Sequence, residues 1–514
     1  MVAFPYHLLK VCGGIVFAAQ GSDIHSFNSR LEHVSTWKYP QQHAAESTGP
    51  AEEAQDSPAP EGPPAKRRKV EDGKDDAASN GQAKGKKAAQ YDNPANERPF
   101  LQGLYATTDG RYLVAITGCD KTIWVFEHDG AGHLKELSRR AMPKRPCALT
   151  LTRDNRTILS ADKFGDVYAL PLIPTTTPDT SSPAPTTPAI PLSRSETPII
   201  LRPEANELTV HTKRNLRALE NQKISLERKA AREAEQQEQN RPKFEHTLLL
   251  GHVSMLTAIC VGVAPSSSNP STMREYIITS DRDEHIRVSR GVPQTHVIEG
   301  FCLGHEDFVS RLCIAPGGKE ELLIAGGGDD DLLVWDWRSG RLLARAPVLE
   351  HVKRVKGMEE VNKVAVTRVF ATPKWWITGN GTVRTVVFVV VERVPALLLY
   401  ELWHDNTLSH RCNIPLPGNP LDLDLLVDED LVQGSTSCRL LVALDPTQKG
   451  SSATTESEDP GCTTSLMVMA NTGDEWKPAP VENLPTSSSA DIGEAELHKL
   501  LYTTEGLRKL TDFE

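Results

Sequence analysis

Gly326-Gly-Gly-Asp-Asp-Asp331 joins backbone freedom to acidic side chains, the make-up of a loop that cradles a phosphate or a ribose. A dinucleotide site would also require a helix opening directly after the glycines and a parallel sheet beneath it. Here an apolar run, Leu332-Leu-Val-Trp335, follows instead, so the glycines and acids read as a tight turn between two strands. His252 and His305 are the next candidates, as general acids or bases. Each follows a glycine (Gly251, Gly304) and each precedes an acid-rich turn that holds Asp283 or Asp329. A buried imidazole needs such a partner. A structural tie from His252 and His305 to these aspartates accounts for the pattern without catalysis. Trp375-Trp376 suits core or rim packing, with base stacking as the alternative. No Ser/His/Asp or Cys/His set has a spacing that singles it out. The nine cysteines stand singly and none forms Cys-x-x-Cys. Neither a zinc ribbon nor a disulfide framework is expected, and a reducing cytosol or nucleus suits them. These residues predict no catalytic, cofactor-binding or metal-binding site.

The elements that carry these residues repeat. One unit opens at Gly251-His252 and ends in Thr279-Ser-Asp-Arg-Asp-Glu-His-Ile-Arg-Val-Ser289. The next opens at Gly304-His305 and ends in Trp335-Asp336, and Ser289 to Trp335 is 46 residues. A Gly-His opening and a Trp-Asp close at this period mark the blade of a WD-repeat propeller. Phe100–Phe126 and Pro146–Leu170 follow the same order of strand, turn, strand, turn, strand, and Phe126 to Leu170 is 44 residues. Residues 1–38 read as part of a first blade, with Phe27 in the Trp place. After Asp336 the marks fade. His351–Lys356, Lys363–Phe370, Thr385–Glu392 and Ala396–Trp403 read as strands, and Leu421–Val427, Ser437–Leu444 and Ser465–Ala470 supply one more blade. The fold predicted is all-β, a seven-bladed WD-repeat β-propeller with disordered insertions and a short helical segment. Its parts are a partial first blade (1–38), an insertion (39–98), blades at 99–171, a second insertion (172–244), WD-repeat blades at 245–346, degenerate blades at 347–480, and a helical tail (481–514) with the rim as its packing place.

The two insertions differ from the blades in composition. Gln41 to Glu97 is nearly empty of large apolar residues and cannot bury enough surface to fold. It holds Lys66-Arg67-Arg68-Lys69 just after Pro63-Pro64 and a second run, Lys84-Gly-Lys86-Lys87. Four adjacent cations in an extended tract suit an acidic import receptor, so the cluster predicts the nucleus; a solvated charge run is the plain alternative. Pro174 to Pro198 is a Thr/Ser/Pro linker. Asn206 to Pro242 has strong helix propensity, but Leu216, Leu219 and Ile224 give only a narrow apolar stripe. It predicts a solvated helix, with contact to RNA phosphates as the secondary reading. Gly450 to Pro460 is a further polar loop.

The chain of 514 residues has 57 Lys and Arg against 68 Asp and Glu, a net charge of −11. A chain this acidic is not expected to hold RNA by phosphate neutralisation alone, although a local basic patch would contribute. The first residues lack a basic segment followed by a long apolar core. The longest apolar run, Val386–Val391, is of strand length. We expect a soluble intracellular protein without membrane contact.

The Thr279–Ser289 unit is unusual for a WD repeat, because its turn carries two acids and Arg282 and it has lost the Trp. With Phe301-Cys-Leu-Gly-His-Glu-Asp-Phe-Val-Ser310 close behind, it resembles the WD-repeat, non-catalytic subunit of the eukaryotic tRNA (guanine-N7)-methyltransferase in its fungal form. The resemblance is strongest over 245–340, moderate over 100–170 and weak beyond 350. It implies a heterodimer with a separate catalytic subunit, which alone holds S-adenosylmethionine and methylates a guanosine in the variable loop of tRNA. It implies that this chain stabilises the active shape of that subunit, with tRNA met mainly through the partner. By the same resemblance the partner-facing cations lie in the Thr279–Ser289 unit, where Arg282 and Arg287 suit bidentate bonds to carboxylates. A surface role on a strand is the alternative for Arg287. Two other classes stand against this reading. A general nuclear WD-repeat adaptor or scaffold has no reason to carry both unusual stretches. A stand-alone methyltransferase would need to bind S-adenosylmethionine by itself.

Overall fold

The computed structural model describes residues 4–40, 99–174, 212–239, 244–266, 271–374, 384–430, 435–447, 464–472, 475–485 and 492–509. The described strands form seven sheets of four antiparallel strands each, the seven-bladed propeller that the repeat predicts. From innermost to outermost strand, blade 1 runs from Tyr6–Cys12 to His33–Trp37, blade 2 from Leu101–Ala106 to Leu134–Ala141, and blade 3 from Pro146–Leu151 to Thr247–Gly251. Blade 4 runs from Leu256–Pro265 to Ile298–Cys302 and blade 5 from Val309–Ile314 to Arg341–Pro347. Blade 6 runs from Val366–Lys374 to Leu408–Pro415 and blade 7 from Asn419–Asp430 to Glu475–Pro480. The innermost strands pack side by side in chain order, and that of blade 7 returns to that of blade 1.

Burial follows position in the blade. The second strands lie between neighbouring blades and are covered on both faces, so they read as continuous apolar runs rather than alternating ones. Ile15–Gln20, Tyr112–Thr117 and Leu322–Gly327 are buried at every residue. The outermost strands face solvent on one side, as in Leu134–Ala141. Between blades the core is aliphatic; one cluster joins Leu322, Ile324 and Val334 of blade 5 to Val387, Val389 and Leu398 of blade 6.

Several expectations are corrected. Residues 1–38 hold a complete four-stranded blade, not part of one, because His33–Trp37 pairs along Asp23–Phe27. The second insertion enters blade 3 between its third strand, Asp166–Pro171, and its fourth. Its helix, α1, spans Lys213–Gln239 and is 27 residues, not short; Leu219 is buried while Ile224 is exposed. His351–Lys356 is no strand. A helical turn, α2 (Leu349–Val352), opens there, since Val348, Val352 and Val355 recur at helical spacing and all enter the core. Among the described residues the tail is α-helical over α3, Glu494–Leu501, which buries Leu497 against Phe4, Phe100 and Ile492, and a single 3-10 turn follows at Glu505–Leu507. Lys66–Lys69, the Thr/Ser/Pro linker, Trp375-Trp376 and the Gly450–Pro460 loop lie outside the described residues.

Candidate partner interface

The acidic turns and the blade-opening histidines meet on the face of the ring where the innermost strands begin. In blade 5, His305 Nδ1 lies 2.6 Å from Asp329 Oδ2, and the Glu306 N–H donates to Asp329 Oδ1 at 2.7 Å. His305 and Asp329 are joined as the spacing predicts. In blade 4 the partner differs. His252 Nδ1 lies 3.3 Å from Asp281 Oδ2, and its Nε2 lies 2.8 Å from the Thr279 hydroxyl. Asp281 replaces the expected Asp283 because of the turn's backbone. Asp281 Oδ1 accepts the N–H groups of Asp283 and His285, and Glu284 takes φ 74°, which turns Asp283 outward. Blade 3 uses the same device, with Asp162 Oδ1 accepting from Phe164 and Asp166 and Gly165 in the left-handed position. Burial works against ionising Asp281, but the bonds from His252 and His285 outweigh it and hold its carboxyl below the ordinary range.

Arg287 turns inward. It is 9% exposed, and its guanidinium donates from Nη1 to the Gly251 carbonyl at 2.9 Å and from Nε to the Ser289 hydroxyl at 3.0 Å. The small Ser289 leaves the space that a Trp would fill, and Arg287 uses it to tie the outermost strand of blade 3 to blade 4. Its pKa is lowered by that burial.

Arg282 and Asp283 are engaged by the end of the chain. Beyond α3 the backbone crosses this face of the ring instead of lying on the rim. The Tyr502 hydroxyl bonds Asp445 of blade 7 at 2.5 Å, and Glu392 of blade 6 accepts the N–H groups of Thr504 and Glu505 at 3.1 and 2.6 Å. Arg282 Nε donates to the Leu507 carbonyl at 2.7 Å. Arg508 pairs with Asp307 and donates to the carbonyls of Gly328 and Val364 at 3.1 and 2.9 Å. Lys509 Nζ lies 3.1 Å from Asp283 and 3.2 Å from Glu284. Burial lowers the pKa of Arg508, but Glu505 and Asp307 outweigh it and raise it. The sequence conceals this role, since Glu505–Lys509 reads as the charged side of a continuing helix.

Blade 4 also leaves apolar side chains open. Phe301 is 43% and Leu303 61% exposed, two residues apart along the outermost strand and its exit, hence on one side. Ile298 is exposed nearby. Both Phe301 and Leu303 lie in or beside the stretch that carries the family resemblance. Among the described residues no cluster of three or more His, Cys, Asp or Glu side chains could hold a metal, and no helix is long and apolar enough to cross a membrane.

Comparison with known proteins was made on sequence and on structure. The family described as the tRNA methyltransferase TRM82 WD40 domain matches residues 16–469. The tRNA (guanine-N(7)-)-methyltransferase non-catalytic subunit trm82 of Sclerotinia sclerotiorum is 37% identical over 544 aligned positions, covering 99% of each chain. That of Coccidioides immitis is 38% identical, covering 87% of this chain and 82% of its own. Among solved structures, the WD40 repeats of RRP9 cover 87% of this chain and 89% of their own at 13% identity and a TM-score of 0.46.

Proposed function

The chain belongs to the family of WD-repeat non-catalytic subunits of the fungal tRNA (guanine-N7)-methyltransferase, and from that premise we propose how it serves the enzyme. It forms a heterodimer with the catalytic subunit. That partner holds S-adenosylmethionine and transfers the methyl group to a guanosine in the tRNA variable loop. The propeller contributes a rigid surface that holds the partner in its active shape and does no chemistry of its own. The observation that carries this reading is the end-to-end likeness to non-catalytic subunits, 99% of each chain in one case. The histidine pairs support it, because His252 and His305 are both spent on holding turns. Nothing in the structure favours a general adaptor.

The contact surface is the apolar edge of blade 4, with Phe301 and Leu303 at its centre. Their exposure supports this, since exposed apolar side chains gain most from burial against a partner. Arg287 has no such freedom, and Arg282 reaches a partner only by releasing the chain end. The net charge of −11 supports tRNA contact mainly through the partner. The cluster Lys66–Lys69 supports action in the nucleus. Two measurements test the reading. Cells lacking the chain should lose 7-methylguanosine from tRNA, and unchanged nucleosides would overturn the enzyme assignment. Phe301→Glu with Leu303→Glu should weaken co-purification with the catalytic subunit roughly 30-fold or more. Full co-purification of that folded variant would move the contact elsewhere and leave the assignment standing.

A further inference from the structure

The mouth of the central channel is walled by the first residues of the innermost strands and half roofed by Leu500–Leu507 of the chain end, leaving a cavity of about 410 Å³. Three cations line it: Arg145, Lys163 and Arg311. None of them pairs with a carboxylate among the described residues. Arg311 donates to the carbonyls of Thr367 and Ser310 only. Arg145 Nε is shut off from solvent with no hydrogen-bond partner. Lys163 is exposed and, among the described residues, meets the ring of Phe164 at 5.8 Å. Arg368, which stands behind Arg311, is already matched by Asp422 at 2.9 Å. The acid on the cavity wall, Glu392, is already used by the Thr504 and Glu505 N–H groups.

We propose that this cavity is a binding site for a small oligophosphate, inorganic or carried on a nucleoside. Arg145 and Arg311 are half-buried and Lys163 is exposed at the rim; cations brought to one cavity without carboxylates repel one another, and an anion with several charges relieves that repulsion. Two guanidinium forks match phosphate oxygens, which favours phosphate over a single carboxylate. The volume lies within the range of small-ligand pockets. The site stands apart from the blade 4 edge, so its failure would leave the methyltransferase reading untouched.

The test uses the purified full chain, with inorganic pyrophosphate, ADP and adenosine as probes. Millimolar pyrophosphate or ADP should raise Tm by roughly 3 °C or more, whereas adenosine and sodium chloride of equal ionic strength should not. A response to ADP well above that to pyrophosphate identifies a nucleotide site, and an equal response identifies a phosphate site; both support the proposal. Arg145→Gln and Lys163→Gln remove side chains that hold no internal hydrogen bond, so both variants should fold, and each should weaken binding at least tenfold in calorimetry. No saturable binding by the natural chain, or undiminished binding by both variants, would overturn the proposal.

Discussion

A histidine at the opening of a blade and an aspartate 24 residues later, His305 and Asp329, close 2.6 Å apart in a buried site. The cost of losing one partner is set by what the other keeps. Asp329 would retain only the Glu306 N–H, leaving a buried carboxylate under-satisfied, so His305→Ala should destabilise the chain by about 3 kcal/mol. Asp281 would retain two backbone N–H groups, so His252→Ala should cost about half as much. Urea unfolding of both variants checks the order, and equal losses would contradict it. At this scale the sequence was readable where spacing decides and unreadable where backbone conformation does. His305 and Asp329 follow from the repeat. The choice of Asp281 over Asp283 depends on Glu284 adopting a positive φ, which no residue type there announces. Arg287 was misplaced for a similar reason: a guanidinium on a strand can point either way, and the room made by Ser289 appears only in three dimensions.

Each blade here is made of strands consecutive in sequence, so no strand is lent across the junction of blades 7 and 1 and side chains must close the ring. The carboxylates of Asp422 and Asp424 accept the Leu9 and Val11 N–H groups at 2.9 and 2.8 Å, and Lys10 lies 2.9 Å from Asp424. These bonds satisfy the free edge of the innermost strand of blade 1. Asp422 also holds Arg368, whose side chain is half-buried, so Asp422→Ala removes that counter-ion along with the bond to the Leu9 N–H and should cost about 2–3 kcal/mol. Asp424→Ala leaves only the half-exposed Lys10 unpaired and should cost about 1–2 kcal/mol. Chemical denaturation measures both, and a neutral Asp422→Ala would show that packing alone closes the ring. The strands of blades 6 and 7 were legible as apolar runs such as Val386–Val391 without their Gly-His and Trp-Asp marks. The closure was not, because Leu421-Asp-Leu-Asp-Leu425 reads as a strand with a wet acidic face, and only the ring places another strand against those acids.

Across the whole molecule, closing seven sheets into a ring buries polar groups at many separate places, several histidines among them. Burial pushes the pKa of His7, His25 and His351 down to about 4 from an ordinary 6.5. Between these values the unfolded chain binds protons that the folded chain refuses, so stability falls as pH drops from 6.5 to about 4 and the loss levels off below that. Glu392 and Asp422 oppose it, since burial raises their pKa and protonation in the folded state relieves them. His351 isolates the effect, because its ring stacks on that of His410 at 3.8 Å between centroids and protonating either would place charge against its neighbour. Its Nδ1 has no hydrogen-bond partner, so Phe can replace it while keeping the stack. His351→Phe should therefore fold, and its Tm should decline between pH 6.5 and 5 with a slope shallower than that of the natural chain, one of four such histidines having been removed. Thermal unfolding across that range decides the matter: parallel pH profiles would mean that His351 charges freely in the folded ring and that its burial has no part in acid sensitivity.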